Sequence, residues 1–351
     1  MSDKLNILGY PMIFPRSQGT QAREGRVIAA DIGGSRARLG LFQGQHGQLQ
    51  LLNMKSYNTH EFDSFIQLFQ SFYQPDTSDV RALCLGVAGP VIEGAVRGTN
   101  FPWVIKKKEL VTQLPDIPVS ILNDMEASAY GLGTLNESQL HTVVAGDPRP
   151  GNAALIAPGT GLGEVGIYFN GRGFRPFSSE GGHCDFAPRT SLEIDLWHYL
   201  KPQFHHISWE RLISGPGILR IYQFLRQQDH TAAGKEQPFD NPESITKAAL
   251  SGTSDLCDQT VGLFFKFLAV ECAQLALKFN AAAGVFIGGS IVPQLITLLD
   301  TKRFAEHFQQ AGRLQHYLQG IPVRVVNQEN TPIWGAAAYA LSTVTRTPRT
   351  S

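Results

Sequence analysis

The sequence predicts a two-lobed α/β protein with a ligand cleft between its lobes, on three observations. The chain has 351 residues, and single hydrophobic cores seldom grow past about 250 to 300 residues before splitting. A strand, a glycine turn and a return strand occur at 27–42 and again at 153–169, as in a weak internal duplication. After each hairpin, short apolar runs alternate with segments of helical spacing, the pattern of layered α/β halves that bind ligands between them.

Taken in order, residues 1–24 are rich in breakers and are expected to form an N-terminal arm. Folding starts near Arg26: 27–30 is a short β-like run, Gly33 and Gly34 make a turn, and 39–42 resumes the strand. Residues 51–57 suit a third strand, 62–72 has helical spacing, and 82–87 is an apolar strand ending in Ala88-Gly-Pro90. The run 119–122 leads into Asn123-Asp124 and a helix through Leu132. The second half starts with a strand at 153–157, a glycine turn at 158–163 and a return strand at 165–169. Helices are expected at 192–200, 218–226, 242–250 and 256–279, strands at 285–287 and 323–326, and a last alanine-rich helix at 333–343. The smaller lobe is accordingly assigned to 25–134 plus 331–351 and the larger to 135–330.

Lysine and arginine number 30, as do aspartate and glutamate, so no net charge draws the chain to nucleic acid or to a membrane surface. Cys84, Cys184, Cys257 and Cys272 have no paired C-x-x-C spacing, which fits a reduced cytoplasmic protein better than a disulfide scaffold or zinc ribbon. The apolar stretch 5–14 is interrupted by Asn6, Gly9 and Pro11 and is followed by no small-residue cleavage site. The most apolar helical stretch, 261–279, carries Lys266, Glu271 and Lys278 and reads as a buried core helix, with no membrane partner expected.

Neither G-x-x-x-x-G-K-[ST] nor a protein-kinase D-F-G occurs. The candidate phosphate cradles are Asp31-Ile-Gly-Gly-Ser-Arg-Ala-Arg38 and Pro158-Gly-Thr-Gly-Leu-Gly163, where missing side chains let backbone N–H groups approach an anion. Either turn alone reads equally as a tight hairpin; two in corresponding places, one with an aspartate at its mouth, point to phosphate. Asp31 suits Mg²⁺, which takes few carboxylates plus phosphate oxygens, and otherwise is a turn-capping residue. Gly288-Gly289, after a short strand, would let a purine pack against backbone. Asp124 either caps the helix it begins or stands ready as a base. Glu180-Gly-Gly-His183 puts a carboxylate and an imidazole within four positions, suited to neighbouring sugar hydroxyls, while the further ligands of a structural zinc are absent nearby. Glu210 before Ser214-Gly-Pro-Gly217, and Thr99-Asn100 before Trp103, add polar groups near turns, or ordinary loop polarity.

These motifs, together with Ile121-Leu-Asn-Asp124, Glu180-Gly-Gly-His-Cys-Asp-Phe-Ala-Pro188 and Gly284-Val-Phe-Ile-Gly-Gly289, resemble the bacterial glucokinase family in order and approximate spacing from about residue 26 to 340. The resemblance implies a ribonuclease-H-like fold of the actin and hexokinase type, with ATP and glucose meeting in an interlobe cleft, and a homodimer. It implies that Asp124 is the base and that Asn100, Asn123, Asp124, Glu180, His183 and Glu210 hold the sugar hydroxyls. It places the nucleotide on Ala30, Asp31, Ile32, Gly33, Gly34, Ser35 and Arg38, on Gly159, Thr160, Gly161 and Gly163, and on Gly288 and Gly289, with Mg²⁺ at Asp31. Departures are Ser35-Arg36 for the family's usual Thr-Asn, Met125-Glu126 for Phe-Thr, and Ser290 where glycine is common. The C-x-C-G-x-x-G-C zinc motif of the related repressor and kinase branch is absent. A kinase for mannose, fructose or an N-acetylhexosamine is the alternative within the enzyme class, and a sugar-binding regulator with weak turnover, motivated by Arg36, the alternative outside it.

Overall fold

The computed structural model describes residues 11–14, 24–45, 48–73, 79–98, 101, 103–228 and 238–344. The chain divides into two compact units, the first comprising Met1–Glu137, Arg172–Ser178 and Asn330–Ser351, the second Ser138–Gly171 and Ser179–Glu329. The short middle segment in the first unit lies inside the stretch that sequence reading gave to the larger lobe.

In the first unit, β1 (Gly25–Ile32), β2 (Arg36–Gln45) and β3 (Gln48–Asn58) form an antiparallel meander. On the other side of β1 lie β4 (Val80–Val87) and β7 (Val119–Asn123), both parallel to it, in the order β3-β2-β1-β4-β7. Between β4 and β7 a small hairpin of β5 (Ala95–Arg97) and β6 (Val104–Lys106) precedes helix α2 (Lys107–Gln113). The strands β1 and β4 are apolar along their length because both faces are covered. Helix α1 (Phe65–Phe72) buries Phe65, Leu68, Phe69 and Phe72 on one face; it starts at the Ser64 cap, so Phe62 precedes it.

The opposite face carries α3 (Asp124–Leu132) and α11 (Thr331–Thr343). These two helices lie almost backbone to backbone: a Cβ on Gly335 would overlap the carbonyl oxygen of Ala127, and one on Gly131 the carbonyl of Thr331. Gly86 of β4 likewise leaves room for Ala127. The alanine-rich end of the chain thus fixes the helix that begins with Asp124.

Within the expected arm, Pro11–Phe14 is packed on the first unit. Ile13 N–H donates to Phe174 O at 2.7 Å, Phe174 N–H donates to Pro11 O at 2.9 Å, and the Phe14 ring stacks on Tyr130 with centroids 4.9 Å apart. This part of the arm is not a loose tail, because it supplies backbone partners and apolar side chains that the sequence pattern of 1–24 did not reveal.

The second sheet contains β8 (Leu140–Val144), β9 (Ala153–Pro158), β10 (Leu162–Phe169), β11 (Phe174–Ser179), β12 (Gly284–Ile287) and β13 (Val323–Val326), in the order β11-β10-β9-β12-β13-β8. As in the first sheet, a glycine hairpin leads into parallel strands, β12 running parallel to β9 and β13. The core of the second unit is built on α4 (Ser191–Leu200), α5 (Gly215–Gln228), α6 (Pro242–Leu250) and α7 (Asp255–Phe279). Helix α7 is long and apolar enough to cross a membrane by length and composition, yet 72% of its most apolar window is buried inside the protein. Short helices α8 (Ile291–Gln294), α9 (Thr301–Gln309) and α10 (Gln315–Gln319) complete the unit.

Candidate active site

In the first unit, the parallel strands end level with one another: Ile32 is opposite Val87, and Val87 opposite Asn123. The turn after β1, Ala88-Gly-Pro90 after β4 and Asp124 after β7 therefore share one sheet edge, the carboxyl end where open α/β sheets bind ligands.

At that edge the side chain of Asn123 is committed to structure. Its oxygen accepts from Met125 N–H at 2.9 Å and Glu126 N–H at 3.4 Å, and the Glu126 carboxylate accepts from Asn123 N–H at 3.3 Å, completing a capping box. Asn123 Nδ2 donates to Gly89 O at 3.0 Å, tying the helix start to the loop after β4. The buried amide of Asn123, expected to hold a sugar hydroxyl, serves the cap and the loop, and Nδ2 carries a second hydrogen beyond the one given to Gly89 O. Asp124 is the first residue of α3 and half-buried, and it is not the cap. Asn100, the other expected sugar ligand of this unit, lies outside the described residues.

Asp31 stands near the end of β1, half-buried, with Oδ2 3.2 Å from Nη1 of Arg38 across the hairpin. Burial raises the pKa of its carboxyl above the ordinary value, and the Arg38 charge opposes that. Among the described residues no group of three His, Cys, Asp or Glu side chains could hold a metal ion. A lone carboxylate beside a phosphate turn still fits Mg²⁺, which draws most of its ligands from phosphate and water. Gly34, Ser35 and Arg38 are at this turn, with Ser35 exposed. Ala30 and Ile32, expected beside the nucleotide, have fully buried side chains, and both residues are paired with β2 and β4 on either side. Gly33 N–H closes the turn by donating to Arg36 O at 2.9 Å, so it is spent within the hairpin.

In the second unit, Glu180, His183 and Glu210 come together from two segments. Residues 184–186 run beside 207–209, with Trp209 N–H donating to Cys184 O at 3.0 Å and Phe186 N–H to Ile207 O at 2.9 Å. This pairing brings Glu210 alongside the turn Gly181–His183, with Oε2 3.9 Å from His183 Nε2. His183 N–H donates to Glu180 O at 3.0 Å, which fixes the turn, and Glu180 and His183 are exposed. Glu210 Oε2 also accepts from Leu162 N–H at 3.1 Å, and a Cβ on Gly161 would press on that carboxylate. A Cβ on Gly182 would overlap Leu162 O. The glycines of both motifs thus let the Gly181–His183 turn and the Gly159–Gly161 turn approach each other within this unit.

The Gly159–Gly161 turn has its own support. Gly159 N–H donates to Gly161 O at 2.8 Å, closing the turn, while Gly215 N–H at the start of α5 donates to Gly159 O at 2.9 Å. The amino end of a 14-residue helix therefore abuts the turn, an arrangement that favours an anion there. Thr160 is exposed and Gly163 is already in the β9–β10 ladder, opposite Ala157. Gly288 N–H donates to Ile156 O at 2.8 Å, and Gly289 has φ +79° with Pro158 O where a Cβ would stand. Gly288-Gly289 and the Gly159 turn are neighbours at the ends of the parallel strands β12 and β9.

Two supporting residues escaped sequence reading. Ser214 Oγ donates to Glu210 O at 2.7 Å and accepts from Gly217 N–H at 3.1 Å, joining the backbone of Glu210 to the start of α5. Glu126 completes the cap behind Asp124; the Asn-x-x-Glu spacing of a capping box was the signal.

A family model described as Glucokinase matches residues 28–343. A glucokinase from Saccharophagus degradans is 34% identical over 316 residues, covering 89% of this chain and 97% of the relative. A crystal structure of a glucokinase from an Antarctic psychrotroph is 30% identical, with TM-score 0.77, covering 90% of this chain and 98% of that one. A ROK family glucokinase from Streptomyces griseus, solved with glucose and AMPPNP, is 21% identical with TM-score 0.61, covering 90% and 99%, and shares the fold. The chain accordingly has the two-lobed ribonuclease-H-like fold of these sugar kinases.

Proposed function

The chain belongs to the glucokinase family and phosphorylates glucose, and from that premise we propose that it transfers the γ-phosphoryl group of ATP to the glucose 6-hydroxyl with Asp124 as general base. The observation that carries this reading is the division of labour at the start of α3. Asn123 makes the capping box, while the carboxylate of Asp124, at the carboxyl edge of the parallel sheet, accepts from Met125 N–H through Oδ1 at 3.0 Å.

In this reading Asp124 takes the proton of the 6-hydroxyl as its oxygen bonds to the γ-phosphorus and the bond to the β–γ bridging oxygen breaks. Glucose 6-phosphate and ADP leave. Glu180, His183 and Glu210 hold sugar hydroxyls, the carboxylates accepting and the imidazole donating or accepting by tautomer. The turn Gly159–Gly161, backed by the amino end of α5, and the turn Gly33–Ser35 with Arg38 hold the phosphates, and Gly288-Gly289 lies by the adenosine. Mg²⁺ at Asp31 supplies neutralisation of phosphate charge when bound. ATP as donor is supported by the nucleotide analogue in the Streptomyces griseus relative. A homodimer and a cytoplasmic location follow from the family resemblance.

A coupled assay over glucose, mannose, fructose and N-acetylhexosamines, with ATP, ADP and polyphosphate as donors, tests the reading. Glucose with ATP is expected to give the highest kcat/KM. A folded protein that turns over another hexose faster, or glucose only with another donor, would overturn it.

A further inference from the structure

Beneath the Glu180-Gly-Gly-His183 turn lies a carboxyl group that the reaction does not use, Glu164, and the charge of a second, Glu271, bears on it. Glu164 on β10 is 1% exposed and Glu271 on α7 is fully buried. Among the described residues, both oxygens of Glu164 and Oε2 of Glu271 are buried without a hydrogen-bond partner; Oε1 of Glu271 accepts from Lys278 Nζ at 3.3 Å. Two carboxylates against one ammonium would leave a net buried negative charge, which a single proton removes. Glu164 also touches the turn itself, because a Cβ on Gly181 would overlap its Oε2. On the same glycine, Ser179 Oγ accepts from Gly181 N–H at 2.9 Å.

We propose that Glu164 and Glu271 together hold one proton and act as positioning residues for the turn that carries Glu180 and His183, so that glucose is gripped well only while the proton is in place. The inference rests on the reading that Glu180 and His183 hold the sugar. With the proton lost, two buried carboxylates repel, and Glu164 gains by moving toward solvent. The backbone in its way is Gly181, which has no side chain to anchor it, so the turn and its sugar ligands shift. The groups that bear on the pair are Lys278 and Cys272 from α7, Arg189 before α4 and Ser179 beside Gly181. Burial and then the charge of Glu271 push Glu164 up to about 8, with Lys278 opposing. Burial raises Glu271 as well, against Lys278 and Arg189, and pushes the buried Cys272 thiol up.

The test is KM for glucose and kcat from about pH 6.5 to pH 9.5 at saturating ATP, in the wild type, Glu164→Gln and Glu271→Gln, each with and without Cys184→Ser to remove the exposed thiol beside His183. The wild-type KM is expected to rise about tenfold along the alkaline limb with kcat changing less, and either glutamine variant to keep the low-pH KM throughout. A flat wild-type profile, or the same limb in both variants, overturns the proposal; either variant alone suffices if the other fails to fold. Glu180→Gln at about pH 7 checks the premise separately: an unchanged KM for glucose would sink the sugar reading and the inference with it, whereas a raised KM with an unaltered limb sinks the inference alone.

Discussion

Asn123 caps the helix that Asp124 begins, accepting from the N–H groups of Met125 and Glu126 while donating to Gly89 O. This separates two roles that sequence reading left open for Asp124. Asp124→Asn keeps the shape of the side chain but cannot accept a proton. Single-turnover kinetics should show kcat lowered by about 10² to 10⁴, the usual worth of a positioned general base. Calorimetric glucose binding and the melting temperature should stay near wild type, since the cap is untouched. A near-normal kcat would remove Asp124 from the mechanism.

Asn123 should behave differently, because its work is structural. Asn123→Ala removes the cap and the Gly89 tie and is expected to cost about 1 to 2 kcal/mol in urea unfolding, with kcat falling as Asp124 loses its register. Asn123→Asp keeps a capping oxygen but cannot donate to Gly89 O. It should recover most of the stability, and the kcat that remains lost measures what the loop tie contributes.

The hairpins, the parallel strands and the core helix α7 were legible because they rest on local patterns: apolar runs, glycine turns and helical spacing. The hairpin β5–β6, strands β8 and β11 and helix α9 were not read. Strands of three residues such as Ala95–Arg97 leave too little alternation to recognise. The β8 strand exposes His141 and Thr142 side by side in its middle, so its apolar Leu140, Val143 and Val144 do not alternate. At the site, residue types pointed to Glu180, His183 and Glu210, yet their convergence depends on segment 184–186 pairing with 207–209, a long-range contact invisible to local spacing. Ala30 and Ile32 were named for their place in a motif, which does not carry the burial and two-sided pairing that β1 gives them.

The contact between Gly161 and Glu210 gives a sharper test of that convergence. In Gly161→Ala the new methyl meets the far end of a flexible side chain, which can move, so the melting temperature should change little. Moving Glu210 breaks its bond from Leu162 N–H, and KM for glucose should rise about tenfold, the worth of one charged hydrogen bond. Gly182→Ala meets the backbone oxygen of Leu162 instead, which cannot swing away, so it should lower stability as well as glucose affinity. If both variants melt alike and bind glucose alike, Glu210 is not a sugar ligand.

The Glu164 and Glu271 pair also makes folding stability depend on pH, and the sign can be worked out. An unfolded glutamate loses its proton near 4.5, whereas burial holds the proton on Glu164 up to about 8. Below the lower value both states are protonated and the pair's contribution is fully present. Between the two values the folded state carries the extra proton, so stability falls as pH rises, by at most about 1.4 kcal/mol per pH unit for one proton. Above the folded value both states are ionised and the contribution is gone. Urea unfolding at about pH 5, 6, 7 and 8 should show this decline in the wild type and a flatter profile in Glu164→Gln, with the variant the more stable of the two at the alkaline end. Glutamine keeps the volume and removes the charge, so a gain there reports relief of buried carboxylate repulsion and not better packing. Parallel profiles in the two proteins would mean that Glu164 is ionised throughout, and that the charge it buries is balanced by something other than a proton.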